Sequence, residues 1–319
     1  MLRFPFHATL GLSATARSSP INWSIPGLGA IVYEYTFEQA GKDGLVPPFD
    51  LVNCSTSFTP GEERQYLDLT ETIGDQFVKV LDLYGCELRS VPDHLLFRRL
   101  RQLMMIDKNT EDPTIKRLFT LLFRRSALCY QATNKIALAM ALIILMLQAG
   151  KKVMVFFERI ESTEEVADIA LATSRKLQGH LQAAGIPWCK VYHSQLADTK
   201  RKQILEDFCL PGPKALLSCR TLDEGIDIPE VDCAILAAST QSRRQRIQRI
   251  GRVLRRGEDG KRSTIVTLYV RGSGDENICA EDKELFGGPV TLHEVEDKDC
   301  LGFLSSLLGR AASTGNALA

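Results

Sequence analysis

The chain has 319 residues, 45% of them apolar, enough to bury the core of one large or two medium domains. Its 39 Lys and Arg balance 39 Asp and Glu, so no overall field draws it to nucleic acid or to a membrane. The nine cysteines stand singly, with no Cys-x-x-Cys pair and no histidine at zinc-finger spacing. That pattern argues for a reducing compartment, cytoplasmic or nucleoid-associated, and against a zinc site or a disulfide framework.

Residues 1–33 carry Arg3 and Arg17 but no acid, and Ser13-Ala14-Thr15-Ala16 has the small residues of a cleavage site, so a targeting peptide is one reading of this end. Two strand-like pieces follow, Ala8–Leu12 and Ala30–Tyr35. The Ser-Ser-Pro and Pro-Gly signals between them set a domain boundary near residue 28. A short helix is expected over Thr36–Lys42, a strand over Asp50–Phe58, and a helix after Pro60 with Glu62 and Glu63 in its first turn, where the helix dipole favours carboxylates. Residues 64–148 read as mostly helical, broken near Pro92 and Pro113, so a helical insertion is placed at about 60–148. The apolar run Ile136–Leu147 is too short to cross a bilayer and predicts a buried helix, with no membrane partner.

From Lys151 the pattern alternates. Strands are predicted at Val153–Phe157, Lys190–His193, Ala215–Ser218, Cys233–Leu236 and Ser263–Val270, with helices at Ser162–Ala184, Asp198–Phe208 and around Gln245–Arg256. Such alternation implies an α/β fold: a parallel sheet joined by right-handed crossovers and covered by helices on both faces. Residues 272–319 lose the pattern, and the Ala/Ser/Gly-rich final dozen is expected to be a disordered tail.

Ligands of open α/β sheets bind at the carboxyl ends of the strands. Several polar segments fall there: Glu158–Ser162, Ser194-Gln195 and the loop Cys219–Pro229. In that loop Gly225 permits a tight turn, and Glu224 and Asp227 are placed to accept hydrogen bonds, although an acidic turn with a helix cap reads the same way. Farther on, Gln245, Gln248, Arg249, Arg252 and Arg255 share one face of a helix, while Ile247, Ile250, Val253 and Leu254 offer a surface for docking it. Planar, permanently charged guanidiniums suit polyphosphate, but a solvated basic helix has the same composition.

Four of these segments together resemble superfamily 2 helicases. Leu10–Arg17 is similar to their motif III, Val153–Glu161 to motif IV, residues 218–229 to motif V, and Gln248–Arg255 to motif VI. Gly29–Tyr33, Asp43–Val46 and Pro48–Leu51 resemble the entry to the second RecA-like domain in the type III restriction and xeroderma-pigmentosum-B-type group. The resemblance implies a remnant of a first RecA-like domain at 1–28, a second RecA-like domain at 29–275 and a C-terminal extension at 276–319.

It also implies roles. Arg252 and Arg255 would be arginine fingers on the γ-phosphate of ATP, with Gln248 placing water or phosphate. Glu224, Gly225 and Asp227 would border the nucleotide. His193, Ser194, Ser218, Cys219 and Thr221 would grip a nucleic-acid backbone, expected to be double-stranded or partly unwound DNA. Ser13 and Thr15 would couple the two activities. The sequence departs from the family in containing no G-x-x-x-x-G-K-S/T phosphate loop and no Asp-Glu-x-His box. Mg²⁺ would therefore be held by a first RecA-like domain, in cis or in trans, and no metal ligand is assigned here. Cys219 stands where many relatives carry Thr or Ser, and Ala16 replaces the usual Pro. The expected function is the C-terminal half of an ATP-dependent DNA helicase or translocase, inactive alone. The alternative is a helicase-like binding module without chemistry, from a truncated or split gene.

Overall fold

The buried apolar runs form strands β1 (Phe49–Thr56), β2 (Lys152–Phe157), β3 (Cys189–His193), β4 (Lys214–Cys219), β5 (Cys233–Leu236), β6 (Ser263–Val270) and β7 (Val290–Glu296). They make one sheet of order β3-β4-β2-β5-β6-β1-β7. Every pairing in it is parallel. This is a computed structural model, and it describes residues 33, 35–45, 47–88, 91, 96, 99–104, 113–157, 169–186, 188–193, 195–219, 231–237, 250, 251, 262–276 and 290–315. Among the described residues the longer helices are α1 (Phe37–Lys42), α2 (Pro60–Leu88), α3 (Thr114–Gln131), α4 (Thr133–Gln148), α5 (Ile169–Ala183), α6 (Asp198–Cys209) and α7 (Asp297–Gly315).

Alternate strand residues point to opposite faces, and each face has its own core. On one, Val52, Val153, Val155, Leu217, Ile235 and Val266 meet Leu142 and Met146 of α4, Leu177 and Leu181 of α5, and Leu304 of α7. On the other, Leu51, Met154, Leu216, Ala234 and Ile265 meet Ile204 and Phe208 of α6, together with Ile250. The predicted parallel sheet with helices on both faces is the observed architecture.

Three expectations change. The predicted strand Ala30–Tyr35 is not formed at its described positions: Tyr33 and Tyr35 lie in irregular backbone. The helical insertion ends earlier than residue 148. Its helices α2 and α3, with the helical residues 99–104, share a third core of Ile73, Val80, Leu100, Leu103, Ile115 and Leu118. The chain breaks at Ala132 (φ −50°, ψ 125°), and α4 belongs to the sheet, whose core it enters through Leu138, Leu142, Ile143 and Met146. Finally, within the expected extension 276–319, the described residues 290–315 join the sheet and its core. β7 pairs with β1 from Phe49↔Val290 to Ser55↔Glu296, and α7 runs to Gly315, so the chain up to there is helical rather than a disordered tail. Cys54 of β1 and Cys300 of α7 are joined by a disulfide, a pairing that the single spacing of the cysteines did not announce.

Glu62 fixes the root of the insertion. Thr59 and Glu62 form a capping box at the start of α2: Glu62 Oε2 accepts from the Thr59 amide (2.9 Å) and hydroxyl (2.8 Å), and Thr59 Oγ1 accepts from the Glu62 amide at 3.4 Å. Its other oxygen accepts from the amide (2.9 Å) and hydroxyl (2.8 Å) of Thr133, so the same carboxylate caps α4. Burial works to raise the Glu62 pKa, but the hydrogen bonds from Thr59 and Thr133 outweigh it and leave the group below the ordinary glutamate value. A carboxylate with a depressed folded pKa stabilises fully above its unfolded value, about 4.3, and loses that contribution as pH falls through the folded value. Glu62→Ala is therefore expected to lower stability by about 1–2 kcal/mol at pH 7 in urea denaturation. The gap should narrow in acid; a gap that widened there would contradict the assignment.

Gly74 stands in the middle of α2, where a Cβ would meet nothing within 4 Å. Glycine inside an exposed helix costs about 1 kcal/mol relative to alanine. Gly74→Ala should raise stability by about that amount, readable as a shift in the urea midpoint at constant slope.

Candidate nucleotide and nucleic-acid interface

Parallel pairing brings the carboxyl ends of β3 and β4 side by side, with His193 opposite Cys219 in register. The three described residues expected to grip nucleic acid sit here, and all are buried: Ser218 is 1% exposed, Cys219 7% and His193 9%. They do not share a face. Cys219 points with Leu217 and Ala215 into the core under α5, where its sulfur lies 3.0 Å from Ser174 Oγ and contacts the Ala170 carbonyl. Its side chain is thus turned to α5. Ser218 points to the opposite face, between Phe156 and Tyr192 in register, and its hydroxyl is buried without a hydrogen-bond partner. Of the pair, only Ser218 carries a hydroxyl, and it is buried.

Ser13, Thr15, Ser194, Thr221, Glu224, Gly225, Asp227, Gln248, Arg252 and Arg255 lie outside the described residues. Next to the arginines, Ile250 and Gly251 are helical. Ile250 is 1% exposed and packed in the α6-side core, while Gly251 faces outward.

Sequence reasoning missed three features of the carboxyl edge. Ser174 was hidden inside a predicted helix, with nothing to mark it as the neighbour of Cys219. Lys135 of α4 and Asp275, in the 3-10 turn Gly274–Glu276 after β6, form an ion pair of 2.7 Å with side chains 1% and 9% exposed. A lone cation in the first turn of an apolar helix was the available signal for it. Asn53 of β1 is fully buried, and neither atom of its carboxamide has a hydrogen-bond partner.

Three buried thiols are poor nucleophiles: burial pushes Cys129 up to about 11, Cys189 up to about 12 and Cys233 strongly upward. Among the described residues no group of three His, Cys, Asp or Glu could hold a metal ion.

Residues 134–257 match the helicase conserved C-terminal domain. The match begins in the first turn of α4, where the break at Ala132 separates the sheet from the insertion. The DNA 3'-5' translocase XPB2 of Sulfurisphaera tokodaii is 24% identical over 278 residues, 86% of this chain and 55% of that protein. The ATP-dependent RNA helicase DDX47 of Drosophila melanogaster is 28% identical over 153 residues, 48% of this chain and 27% of that protein. The chain is thus similar, over residues 134–257, to the C-terminal domain of such helicases. It spans about half the length of the first relative and about a quarter of the second. Among solved structures, the C-terminal part of the Fun30 ATPase domain is 14% identical with a TM-score of 0.46, covering 76% of this chain and 91% of that one. The C-terminal domain of the DEAD-box protein Dbp5 is 20% identical with a TM-score of 0.43, covering 57% and 93%.

Proposed function

We propose that this chain forms one wall of an ATP-driven DNA helicase or translocase. It would supply arginine fingers to a nucleotide, and a backbone grip to nucleic acid, while a first RecA-like domain holds Mg²⁺ and the β-phosphate. The finding that carries this reading is the helicase-domain match over 134–257, which contains every candidate from His193 to Arg255. Ile250 supports it. Ile250 is buried in the α6-side core, and if the expected helix Gln245–Arg256 turns about 100° per residue, Gln248, Arg252 and Arg255 would stand about 140–160° round from it.

The chemistry of these side chains fits half a nucleotide site. Guanidiniums can neutralise charge building on a transferring phosphoryl group, which is the purpose of an arginine finger. They cannot ligate Mg²⁺, so the cation is left to the other domain. Glu224 and Asp227 at the end of β4 would accept from ribose hydroxyls. Ser218 would meet the phosphodiester backbone from the α6 side, and Cys219, held by Ser174, would set the root of its loop. His193, Ser194 and Thr221 would line the same channel, and Ser13 and Thr15 would link it to the nucleotide.

DNA is preferred over RNA because the similarity to a DNA translocase extends over 86% of the chain, against 48% for the RNA helicase. Fluorescence anisotropy with a tailed DNA duplex and its RNA counterpart, across a salt series, tests this. Tighter DNA binding that weakens with salt is expected. Equal or tighter RNA binding would remove the DNA assignment.

A further inference from the structure

Helix α2 carries four of the nine large apolar side chains exposed among the described residues: Leu67 (59%), Val78 (56%), Leu81 (38%) and Leu83 (63%). Scattered apolar residues on a surface mean little, but a contiguous row invites a partner. At about 100° per residue, Leu67, Gly74, Val78 and Leu81 fall within an arc of about 60°, and the row is about 21 Å long. The apolar positions Leu67 and Leu81, with Gly74 between them, repeat every seven residues, the spacing of a helix–helix seam. Gly74 sits mid-row with open space above it, so a second backbone can come close.

The margin of this row is acidic. Asp68, Glu71, Asp75 and Asp82 are exposed along one side of it, and none pairs with a described cation; Arg64 stands at one end and Lys79 farther round. Ile73 and Val80, about 120–140° round from Leu67, are committed to the insertion's own core, and the row itself ends at Leu88, seven residues beyond Leu81, which is buried there too. A second copy packed antiparallel about a two-fold axis would set carboxylate row against carboxylate row, which like-charge repulsion opposes.

We propose that the Leu67–Gly74–Val78–Leu81 seam of α2 docks a basic amphipathic helix of another protein. The partner helix would lay leucine-like side chains along the seam and direct Lys or Arg at Asp68, Glu71, Asp75 and Asp82. Such docking is the helix-against-helix mode of recognition, with apolar anchors giving affinity and charge giving direction. It stands apart from the nucleotide and nucleic-acid reading of the carboxyl edge.

The test uses the whole 319-residue chain and a fluorescent synthetic helix with leucines at heptad spacing and lysines beside them. A glutamate-flanked version and a scrambled basic version are the controls. The chain should bind the basic helix at least roughly tenfold tighter than either control. Val78→Lys with Leu81→Lys should lose at least roughly tenfold, and the triple change Glu71→Lys, Asp75→Lys and Asp82→Lys should transfer preference to the glutamate helix. All five positions are exposed, and unchanged thermal melts verify that the variants fold. Equal binding of the scrambled peptide, or indifference to the Val78→Lys and Leu81→Lys pair, would sink the proposal. So would a dimer in sedimentation that Val78→Lys dissolves, because the occupant would then be a second copy.

Discussion

Lys135→Met is expected to remove about 3–5 kcal/mol of folding stability, because it strands Asp275 as a buried, uncompensated charge. A domain of ordinary stability has about 5–15 kcal/mol in all, so the variant should be near the edge of folding at 37 °C. The pair lies where the insertion, α4 and the exit of β6 converge. Lys135 Nζ reaches Asp275 Oδ2 at 2.7 Å and stands 5.9 Å from the Tyr130 ring centroid. The Asp275 amide donates to Ser273 Oγ, and the Gly274 amide donates to the Tyr66 hydroxyl of α2. Removing one charge thus disturbs contacts to three elements. Removing both should not: Lys135→Met with Asp275→Leu is expected to recover most of the loss, since an apolar pair of similar volume often matches a buried ion pair. Urea denaturation of the single and double variants measures the difference. A single variant within 1 kcal/mol of wild type would show that Asp275 reaches water.

The second large effect concerns the arginine helix and rests on the proposed function. In a complex with a first RecA-like domain that binds ATP, Arg252→Ala and Arg255→Ala should each lower nucleic-acid-stimulated ATP hydrolysis by about 10³-fold or more, with nucleic-acid affinity changed far less. The loss should appear in kcat rather than KM, because the guanidinium acts on charge that develops only in the transition state. The chain by itself should hydrolyse no ATP. A DNA-stimulated ATPase of the purified chain that vanishes with Arg252→Ala would overturn that expectation, and with it the division of labour between two domains.

Much of the sheet was legible because its central strands are buried on both faces. Such strands read as unbroken apolar runs between turn signals, and β5 and β6 begin and end where the sequence places them. β7 was missed for the complementary reason. It lies at the edge, with Thr291 and Glu294 exposed and Leu292, His293 and Val295 half-buried, so no continuous apolar run marks it. The insertion was drawn too long because neither Pro nor Gly announces the break at Ala132, and α4 is apolar enough to continue the helices before it. At the carboxyl edge, sequence order located Ser218 and Cys219 but not their directions. Strand alternation decides that: Cys219 follows Leu217 to the α5 side and Ser218 follows Leu216 to the α6 side. Ser174 is 45 residues from Cys219, and no local pattern connects them.

The position of β1 between β6 and β7 has a consequence for biosynthesis. β1 is the first of the seven described strands to be made, yet its two neighbours begin at Ser263 and Val290, so Phe49 waits 263 − 49 = 214 residues for the nearer one. At about 5–20 residues per second that is roughly 10–40 s on the ribosome. Throughout that interval Phe49, Leu51, Val52 and Cys54, all wholly buried at the end, have no strand to pair with. The insertion can assemble its separate core in the meantime, since its contacts are local and close quickly. The nascent chain should thus carry a folded helical module beside an unsatisfied apolar strand, which makes β1 the segment most in need of chaperone cover before the last strands emerge.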